Sequence, residues 1–106
     1  MPQTASLVRG RVYYADLGHG DKPWLVVSNN RRNAQLDSAL VVRVTTSVKP
    51  PLPSIIELDA SDPLVGRVLC DDVNVIYTDE AKRDAGALSQ RTMVRVADGL
   101  RSVFAL

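Results

Sequence analysis

The sequence of 106 residues has little cysteine, no long apolar run and no marked excess of either charge. Its single cysteine, Cys70, excludes a framework of internal disulfides. No apolar run approaches the roughly 18 residues that a membrane helix needs. The first residues, MPQTASLVRG, show no basic segment followed by an apolar one, so no secretory signal is expected. These absences predict a cytoplasmic protein that does not engage a membrane.

Motifs for metal or nucleotide cofactors are also missing. One histidine and one cysteine, 51 positions apart, match no spacing of zinc ligands. The segment Gly18–Gly20 lacks the rest of a dinucleotide-binding motif, and no phosphate-binding loop is present. The acids Asp71–Asp72 and Asp79–Glu80 could hold a divalent ion, although adjacent acids are more often solvated. We therefore expect neither a metal site nor a cofactor.

The net charge of +1 is divided unevenly along the chain. Residues 1–50 hold seven basic and three acidic side chains, a net charge of +4. Residues 51–106 hold six basic and nine acidic side chains, a net charge of −3. Because local potential rather than total charge selects a partner, a basic surface for nucleic acid is still possible.

Short runs rich in β-branched and aromatic residues dominate the sequence and predict strands. Ser89 is a predicted N-cap, and Met93, Val96 and Leu100 follow at helical spacing, which predicts one long helix near the C-terminus. Gly99 would weaken that helix by roughly 1 kcal/mol unless close packing requires it. The pattern predicts a mainly β fold with a C-terminal helix (α+β), built on a strongly curved sheet or barrel. The predicted strands span residues 11–17, 24–28, 39–46, 54–58, 66–70 and 73–77.

Three smaller predictions complete the organisation of the chain. The polar segment Asn29–Gln35 could form a helical turn. Cys70 lies in an apolar stretch, so we expect a packed thiol rather than a nucleophile. Residues 1–8 are expected to form a loose tail, which leaves residues 9–106 as a single domain.

A set of polar residues on predicted loops and strand ends could act on a phosphodiester without a metal. Cleavage of RNA by its own 2′-hydroxyl needs a base, cations that stabilise the phosphorane, and an acid for the leaving 5′-oxygen. Each residue also has an ordinary role as a solvated charge, a strand former or a loop residue, so composition alone leaves both interpretations open. The set is His19, Asp21, Lys22, Arg43, Thr45, Thr46 and Asp71.

The order of several motifs resembles that of MazF/PemK-type toxins. Arg9-Gly10 precedes the strand RVYYADL, and a short Gly-rich loop leads to KPWLVVSN. The likeness continues in VVRVTTSVKPPLPSIIELDA, in GRVLCDDVNVI, and in Gly86–Ser89 before the terminal helix. It covers nearly the whole chain after residue 8, and its specificity comes from the ordered set rather than from any single motif.

This resemblance implies a CcdB/PemK-like fold, an SH3-like barrel with a C-terminal helix. It implies a homodimer, to which the face carrying Val41, the loop Pro50–Pro53 and part of the terminal helix contribute. It further implies a metal-independent endoribonuclease toxin that cuts single-stranded RNA at short sequences and leaves a 2′,3′-cyclic phosphate and a 5′-hydroxyl. A cognate antitoxin would place an acidic, extended segment in the RNA groove.

The resemblance also implies site residues. Lys22 occupies the position of a catalytic arginine, and Thr45 is the first threonine of the catalytic pair. Asp71 matches the general base of one branch of the family, and His19 lies in the loop that carries an assisting histidine there. Two positions depart from the pattern, because a lysine replaces the arginine at 22 and Leu69 stands where that branch has an arginine. The residues expected to contact RNA are Asp21, Asn29, Arg43, Thr46 and Lys49.

Two alternative functions remain open at this point. A CcdB-like gyrase poison shares the fold but relies on a C-terminal tail containing tryptophan, whereas this chain ends in SVFAL and its one tryptophan is Trp24. A non-catalytic SH3-like module would bind RNA or an acidic peptide without turning it over. Turnover of RNA, rather than binding, distinguishes the enzyme from the binding module.

Overall fold

A computed structural model describes residues 5–106 of the protein. Its strands form one antiparallel sheet in the order β4-β5-β3-β2-β1-β6. The prediction of a mainly β fold with a C-terminal helix is therefore confirmed. In chain order the elements are β1 (Arg11–Asp16), β2 (Asp21–Val26), α1 (Asn30–Leu36), β3 (Ser38–Thr45), β4 (Ile55–Glu57), β5 (Arg67–Tyr77), a 3-10 turn (Thr78–Glu80), β6 (Arg83–Ala87) and α2 (Gln90–Phe104).

Two strands differ from the sequence-based prediction. Strand β5 is one element of 11 residues rather than two short strands, because β3 pairs along both halves of it. The register slips where Val42 lies opposite Val73 but Arg43 lies opposite Leu69, so residues 70–72 form a bulge. Strand β6, with the sequence RDAGA, was not predicted, because its pairing with β1 rather than its β propensity keeps it extended.

Alternation along the strands places apolar side chains on both faces of the sheet. One core cluster lies under α2, and the other lies on the opposite face. The near-continuous apolar run of β2 reflects this double burial: Leu25 belongs to the first cluster, whereas Trp24 and Val26 belong to the second. Val41, expected on the dimer face, is completely buried in the second cluster, so that expectation was wrong for its side chain.

The segment expected to form a loose tail packs against the fold at its C-terminal end. The side chain of Leu7 is only 1% exposed and belongs to the second core cluster. The carbonyl oxygen of Leu7 accepts a hydrogen bond from Asn33 Nδ2 at 3.2 Å, and the amide of Val8 donates to the Tyr13 hydroxyl at 3.2 Å. The expected tail therefore does not include Leu7 and Val8, whereas residues 1–4 lie outside the described residues.

Both predicted helical segments form helices in the structure. The predicted turn at 29–35 is α1, whose N-cap is Asn29. Helix α2 begins after Ser89, whose hydroxyl accepts from the amide of Thr92 at 3.2 Å. The carboxylate of Asp62 accepts from the Ser89 amide at 2.8 Å and from the Thr92 hydroxyl at 2.7 Å, which ties the loop before β5 to the helix. No helix within residues 5–106 combines the length and the apolar character needed to cross a bilayer.

Helix α2 packs closely against the sheet at Gly99. A Cβ atom on Gly99 would lie 2.8 Å from Cys70 Sγ and 3.3 Å from the Pro53 carbonyl oxygen. Cys70 is fully buried, and its Sγ lies 3.8 Å from the carbonyl oxygen of Val96. Burial raises the pKa of the Cys70 thiol to about 11, so it is the packed, unreactive thiol that was predicted.

Gly99→Ala tests this close approach. Alanine improves helix propensity by ~1 kcal/mol, but forcing a methyl group against Cys70 costs about 1–3 kcal/mol, so we expect a net loss of stability. Chemical denaturation measures the free energy of unfolding. Ser102→Ala, at an exposed position of the same helix, is the control and should stay within about 0.5 kcal/mol of the parent protein. A stabilised Gly99→Ala protein would contradict the packing described here.

Gly66→Ala tests a second close approach, at the end of β3. Gly66 has φ +126°, and a Cβ atom there would overlap the carbonyl oxygen of Thr45. Gly18 also has a positive φ, +112°, but its Cβ would meet no atom within 4 Å. Both alanine variants carry backbone strain, whereas only Gly66→Ala adds a clash, so it should lose about 1–3 kcal/mol more on denaturation. Equal losses in the two variants would show that the Thr45 carbonyl does not constrain position 66.

Candidate functional site

Three predicted site residues line one cavity on the face of the sheet opposite α2. His19, Lys22 and Arg43 surround a volume of about 290 Å³. Its floor includes Trp24, the single tryptophan of the chain, which is 5% exposed. We name this space the Lys22 cavity. The remaining residues that line it are Leu17, Gly20, Asp72 and Asn74.

Strand register explains why Lys22 and Arg43 line the same cavity. Trp24 on β2 lies opposite Arg43 on β3, so their side chains share a face. Lys22 precedes Trp24 by two residues and therefore belongs to that face, and both Lys22 and Arg43 line the cavity. Thr45, the other leading catalytic position implied by the resemblance, lies at the end of the adjacent strand β3, beyond the last β2–β3 pair.

The loop that carries His19 is organised by Asp16. The Asp16 Oδ1 atom accepts hydrogen bonds from the amides of Gly18 at 2.8 Å and Gly20 at 3.1 Å. These bonds, chiefly that from Gly18, hold the pKa of the Asp16 carboxyl below its usual range. Asp21, expected to contact RNA, instead forms an ion pair with Lys82 at 2.8 Å between two half-exposed side chains.

Two basic side chains of the Lys22 cavity, Lys22 and Arg43, form no close ion pair with another described residue. In the part of the chain that the structure describes, no salt bridge within 4.0 Å involves Lys22 or Arg43. The Arg43 guanidinium lies 5.9 Å from the centroid of the Trp24 ring and donates from Nε to the Val44 carbonyl at 3.2 Å. Two uncompensated charges on a concave surface are suited to an anionic ligand such as a phosphodiester.

The two threonines line a separate cavity. Thr45 and Thr46 bound a space of about 190 Å³, and the Thr45 hydroxyl accepts from the Ser47 amide at 3.1 Å. Tyr14 lines the same space, and the Arg83 guanidinium lies 4.1 Å from the centroid of its ring. Its other residues are Pro23, Val44, Leu64 and Val65. Pro23 is adjacent to Lys22 on β2, so this second cavity lies near the same end of the sheet. Pro23 and Tyr14 alternate with Leu25 and Val12, however, so they belong to the face under α2.

Three other predicted residues are not brought to the Lys22 cavity. Asn29 uses its side-chain oxygen to cap α1, accepting from the Arg32 amide at 2.8 Å. Lys49 lines a shallow depression beside Pro50–Pro53 and Arg67. Asp71 is exposed and lines none of the three cavities named here.

Asp72 lines the Lys22 cavity, although sequence reasoning did not place it among the catalytic or RNA-binding residues. It is partly buried, and its Oδ1 atom accepts from Asn74 Nδ2 at 3.1 Å. The adjacent acids at 71 and 72 are visible in the sequence, but the bulge that selects which of them reaches the cavity depends on pairing with β3. Among residues 5–106, no group of three or more His, Cys, Asp or Glu side chains is arranged to hold a metal ion.

Comparison with known proteins identifies the family of the chain. The family model of the PemK-like, MazF-like toxin of type II toxin-antitoxin systems matches residues 8–104. Endoribonuclease MazF4 of Mycobacterium tuberculosis and endoribonuclease MazF1 of Mycobacterium bovis are each 37% identical over 99 residues, which is 93% of this chain and 93% of each relative.

Solved structures give the same result. The structure of an endoribonuclease in complex with its cognate antitoxin, from a mycobacterial species, matches with a TM-score of 0.92 and 37% identity, covering 95% of this chain and 97% of that one. MazF from Deinococcus radiodurans has a TM-score of 0.82 at 20% identity over 96% of this chain and 99% of its own, which shows the shared fold. The chain described here therefore belongs to the PemK/MazF family of toxins of type II toxin-antitoxin systems.

Proposed function

We propose that this protein is an endoribonuclease that cuts single-stranded RNA at short sequences without a metal ion. The observation that carries the proposal is the pair of unpaired cations, Lys22 and Arg43, in a concave site on the strands that also carry Thr45. Relatives that are 37% identical over 93% of this chain are named endoribonucleases, which supports the same activity. The site of action would be the cytoplasm, where cellular RNA is found.

The proposed chemistry is attack of the 2′-hydroxyl on the adjacent phosphorus. Charge develops on the phosphorane oxygens, where Lys22 and Arg43 stabilise it and the Thr45 hydroxyl donates a hydrogen bond. His19 would protonate the leaving 5′-oxygen. The products are a 2′,3′-cyclic phosphate and a 5′-hydroxyl. Because the side chains supply the positive charge, the mechanism needs no metal.

Lysine at position 22 changes how the phosphate would be held. An arginine would grip two phosphate oxygens with its planar guanidinium, whereas the Lys22 ammonium is a point charge on a flexible stem. Arg43 lies in the same cavity and is fixed by its bond to the Val44 carbonyl. We propose that Arg43 supplies the directed contact and Lys22 the mobile charge.

Recognition of sequence would involve the loops around this centre. Unpaired RNA bases are read by stacking and by hydrogen bonds to their edges. Asp21, Thr46 and Lys49 lie on or beside the loops at the Lys22 end of β2 and the Thr45 end of β3, whereas Asn29 follows the other end of β2. We propose that these four residues contact the RNA with Arg43. An acidic, extended segment of a cognate antitoxin would compete for the same cations and block cleavage.

The first test is cleavage of a mixed-sequence RNA in the presence of a chelator. Lys22→Ala and Thr45→Val should each lose roughly 100-fold or more in rate, since each removes a group that stabilises the phosphorane. Arg101→Ala removes an exposed cation of α2, paired with Asp98 at 2.9 Å, and should cut like the parent protein. Sequencing of the 5′-hydroxyl ends gives the recognition sequence.

The outcome that contradicts the proposal is intact RNA after incubation with folded protein. Such a result, with RNA or an acidic peptide still bound, would favour the non-catalytic module. Retention of full activity in Lys22→Ala would exclude the Lys22 cavity as the site of cleavage, and retention in Thr45→Val would exclude a role for the Thr45 hydroxyl.

We also propose that two chains associate through the apolar surface beside α1. Leu40 and Val75 lie opposite each other on β3 and β5, and they are 36% and 43% exposed. Tyr77 and Leu36 extend this surface, and both are more than half exposed. Leu40 replaces Val41 in the expected interface, because alternation turns neighbouring side chains to opposite faces. Contiguous exposed apolar side chains of this kind are typical of an interface.

Light scattering on the purified protein tests the association. The parent protein should have twice the 11.6 kDa mass of one chain at micromolar concentration. Val75→Arg places a charge in the apolar surface and should shift the population to monomer. Val48→Arg is the matched control, since Val48 is 83% exposed and lies outside that surface. A parent protein that is monomeric at this concentration would contradict the proposal.

A further inference from the structure

The Lys22 cavity holds one carboxylate among its basic groups. Asp72 lines this cavity together with His19, Lys22 and Arg43. Within residues 5–106 no salt bridge within 4.0 Å joins Asp72 to any of them. The carboxylate therefore shares the cavity with the basic groups and is not held in an ion pair with any of them.

The bulge in β5 gives Asp72 this position. Residues 70–72 have no partner on β3, because the register passes from the Val42–Val73 pair to the Arg43–Leu69 pair. Bulges redirect side chains and occur frequently beside active sites. Within the bulge, Cys70 is buried under α2 and Asp71 is exposed, whereas Asp72 lines the cavity.

Asn74 fixes the orientation of the carboxylate. Its Nδ2 atom donates to Asp72 Oδ1 at 3.1 Å, and Asn74 itself lines the cavity. Among the hydrogen bonds of the described residues, none engages the second oxygen of Asp72. One oxygen is thus anchored, and the other is free to accept a proton.

We propose that Asp72 is the general base of the reaction and that Asn74 positions it. The inference rests on the proposed endoribonuclease function. The 2′-hydroxyl gives its proton to Asp72 as the bond between the 2′-oxygen and phosphorus forms. The bond between phosphorus and the 5′-oxygen breaks, and that oxygen takes a proton from His19. Afterwards Asp72 returns its proton to water and His19 takes one from water, so the enzyme is restored.

The assignment differs from the one that resemblance alone implies. By motif, the aspartate directly after Cys70 would be the base, which is Asp71. A general base must come within hydrogen-bond reach of the proton it removes, directly or through one water. Asp71 lies outside the cavity that holds Lys22 and Arg43, whereas Asp72 lies inside it.

Rates of RNA cleavage by charge-removing variants test the proposal. Asp72→Asn keeps the shape of the side chain but cannot take the proton, and it should lose roughly 100-fold or more in rate. Asp71→Asn should lose much less than Asp72→Asn. Asp79→Asn removes a charge from the exposed 3-10 turn and should cut like the parent protein. Circular dichroism verifies folding, and Asp72→Ser, expected to lose activity to the same degree, replaces Asp72→Asn if that variant fails to fold.

Binding of a 2′-O-methyl RNA, which cannot be cut, separates turnover from affinity. Trp24 fluorescence reports occupancy of the cavity, because its ring forms the floor. Asp72→Asn should bind this RNA at least as tightly as the parent protein, since a negative charge has been removed near the phosphates.

Three outcomes would overturn the assignment. These are a rate within threefold of the parent protein for Asp72→Asn, a larger loss for Asp71→Asn than for Asp72→Asn, and a loss explained entirely by weaker RNA binding. A parent protein that leaves RNA intact is a different result, because the proposed function then fails and the role of Asp72 fails with it.

Discussion

Strand β3 pairs with β2 on one side and with β5 on the other, and the site depends on both registers. The β2 register sets Arg43 beside Trp24 and directs Lys22 to the same face. Strand β3 pairs with β5 without interruption from Ser38 to Val42. The bulge at residues 70–72 then shifts the register, so that Arg43 pairs with Leu69. A one-residue shift in either pairing would turn the cavity side chains toward the opposite face of the sheet.

Burial of both faces makes such a shift costly. Val42 belongs to the cluster beneath α2, and Val41 belongs to the cluster on the other face. Moving the register by one residue would place each in a site shaped for its neighbour and expose apolar surface at about 25 cal/mol per Å². The polar residues near the strand ends contribute little to this specificity. Their placement follows from the apolar residues next to them on the same strands.

Sequence patterns predicted those elements whose own composition determines their structure. The apolar run of β2, the β-branched run of β3 and the capped, amphipathic α2 were each recognised, although their bounds moved by a few residues. Strand β6 has no such composition, and it exists because β1 offers it an unpaired edge. The continuity of β5 and its bulge depend on β3 in the same way. Pairing between distant segments is the information that local patterns do not contain.

The same distinction applies to the site. Lys22, Arg43 and His19 were predicted from residue type and motif order, and the fold places them around one cavity. The motif points to Asp71, the aspartate directly after Cys70, whereas the pairing of β5 with β3 decides which of the two adjacent carboxylates lines the cavity. Asn29 shows the converse case, in which a polar residue on a predicted loop caps a helix.

Total charge was a poor guide to the partner for a related reason. The +1 of the whole chain conceals local pairing, since many acidic side chains of the second half are engaged in ion pairs or caps far from the Lys22 cavity. Asp59 is an example: the Ser61 hydroxyl and the Arg91 guanidinium hold the pKa of its carboxyl at about 2. Such acids are satisfied by nearby partners and contribute little field at the cavity, because exposed charges are screened within about 10 Å.

Lys22 and Arg43 have no such partner in the described part of the chain, so their charge is available to a ligand. The local potential of the cavity is therefore set by the geometry that leaves these two cations without a close ion pair, and that geometry follows from the two registers of β3.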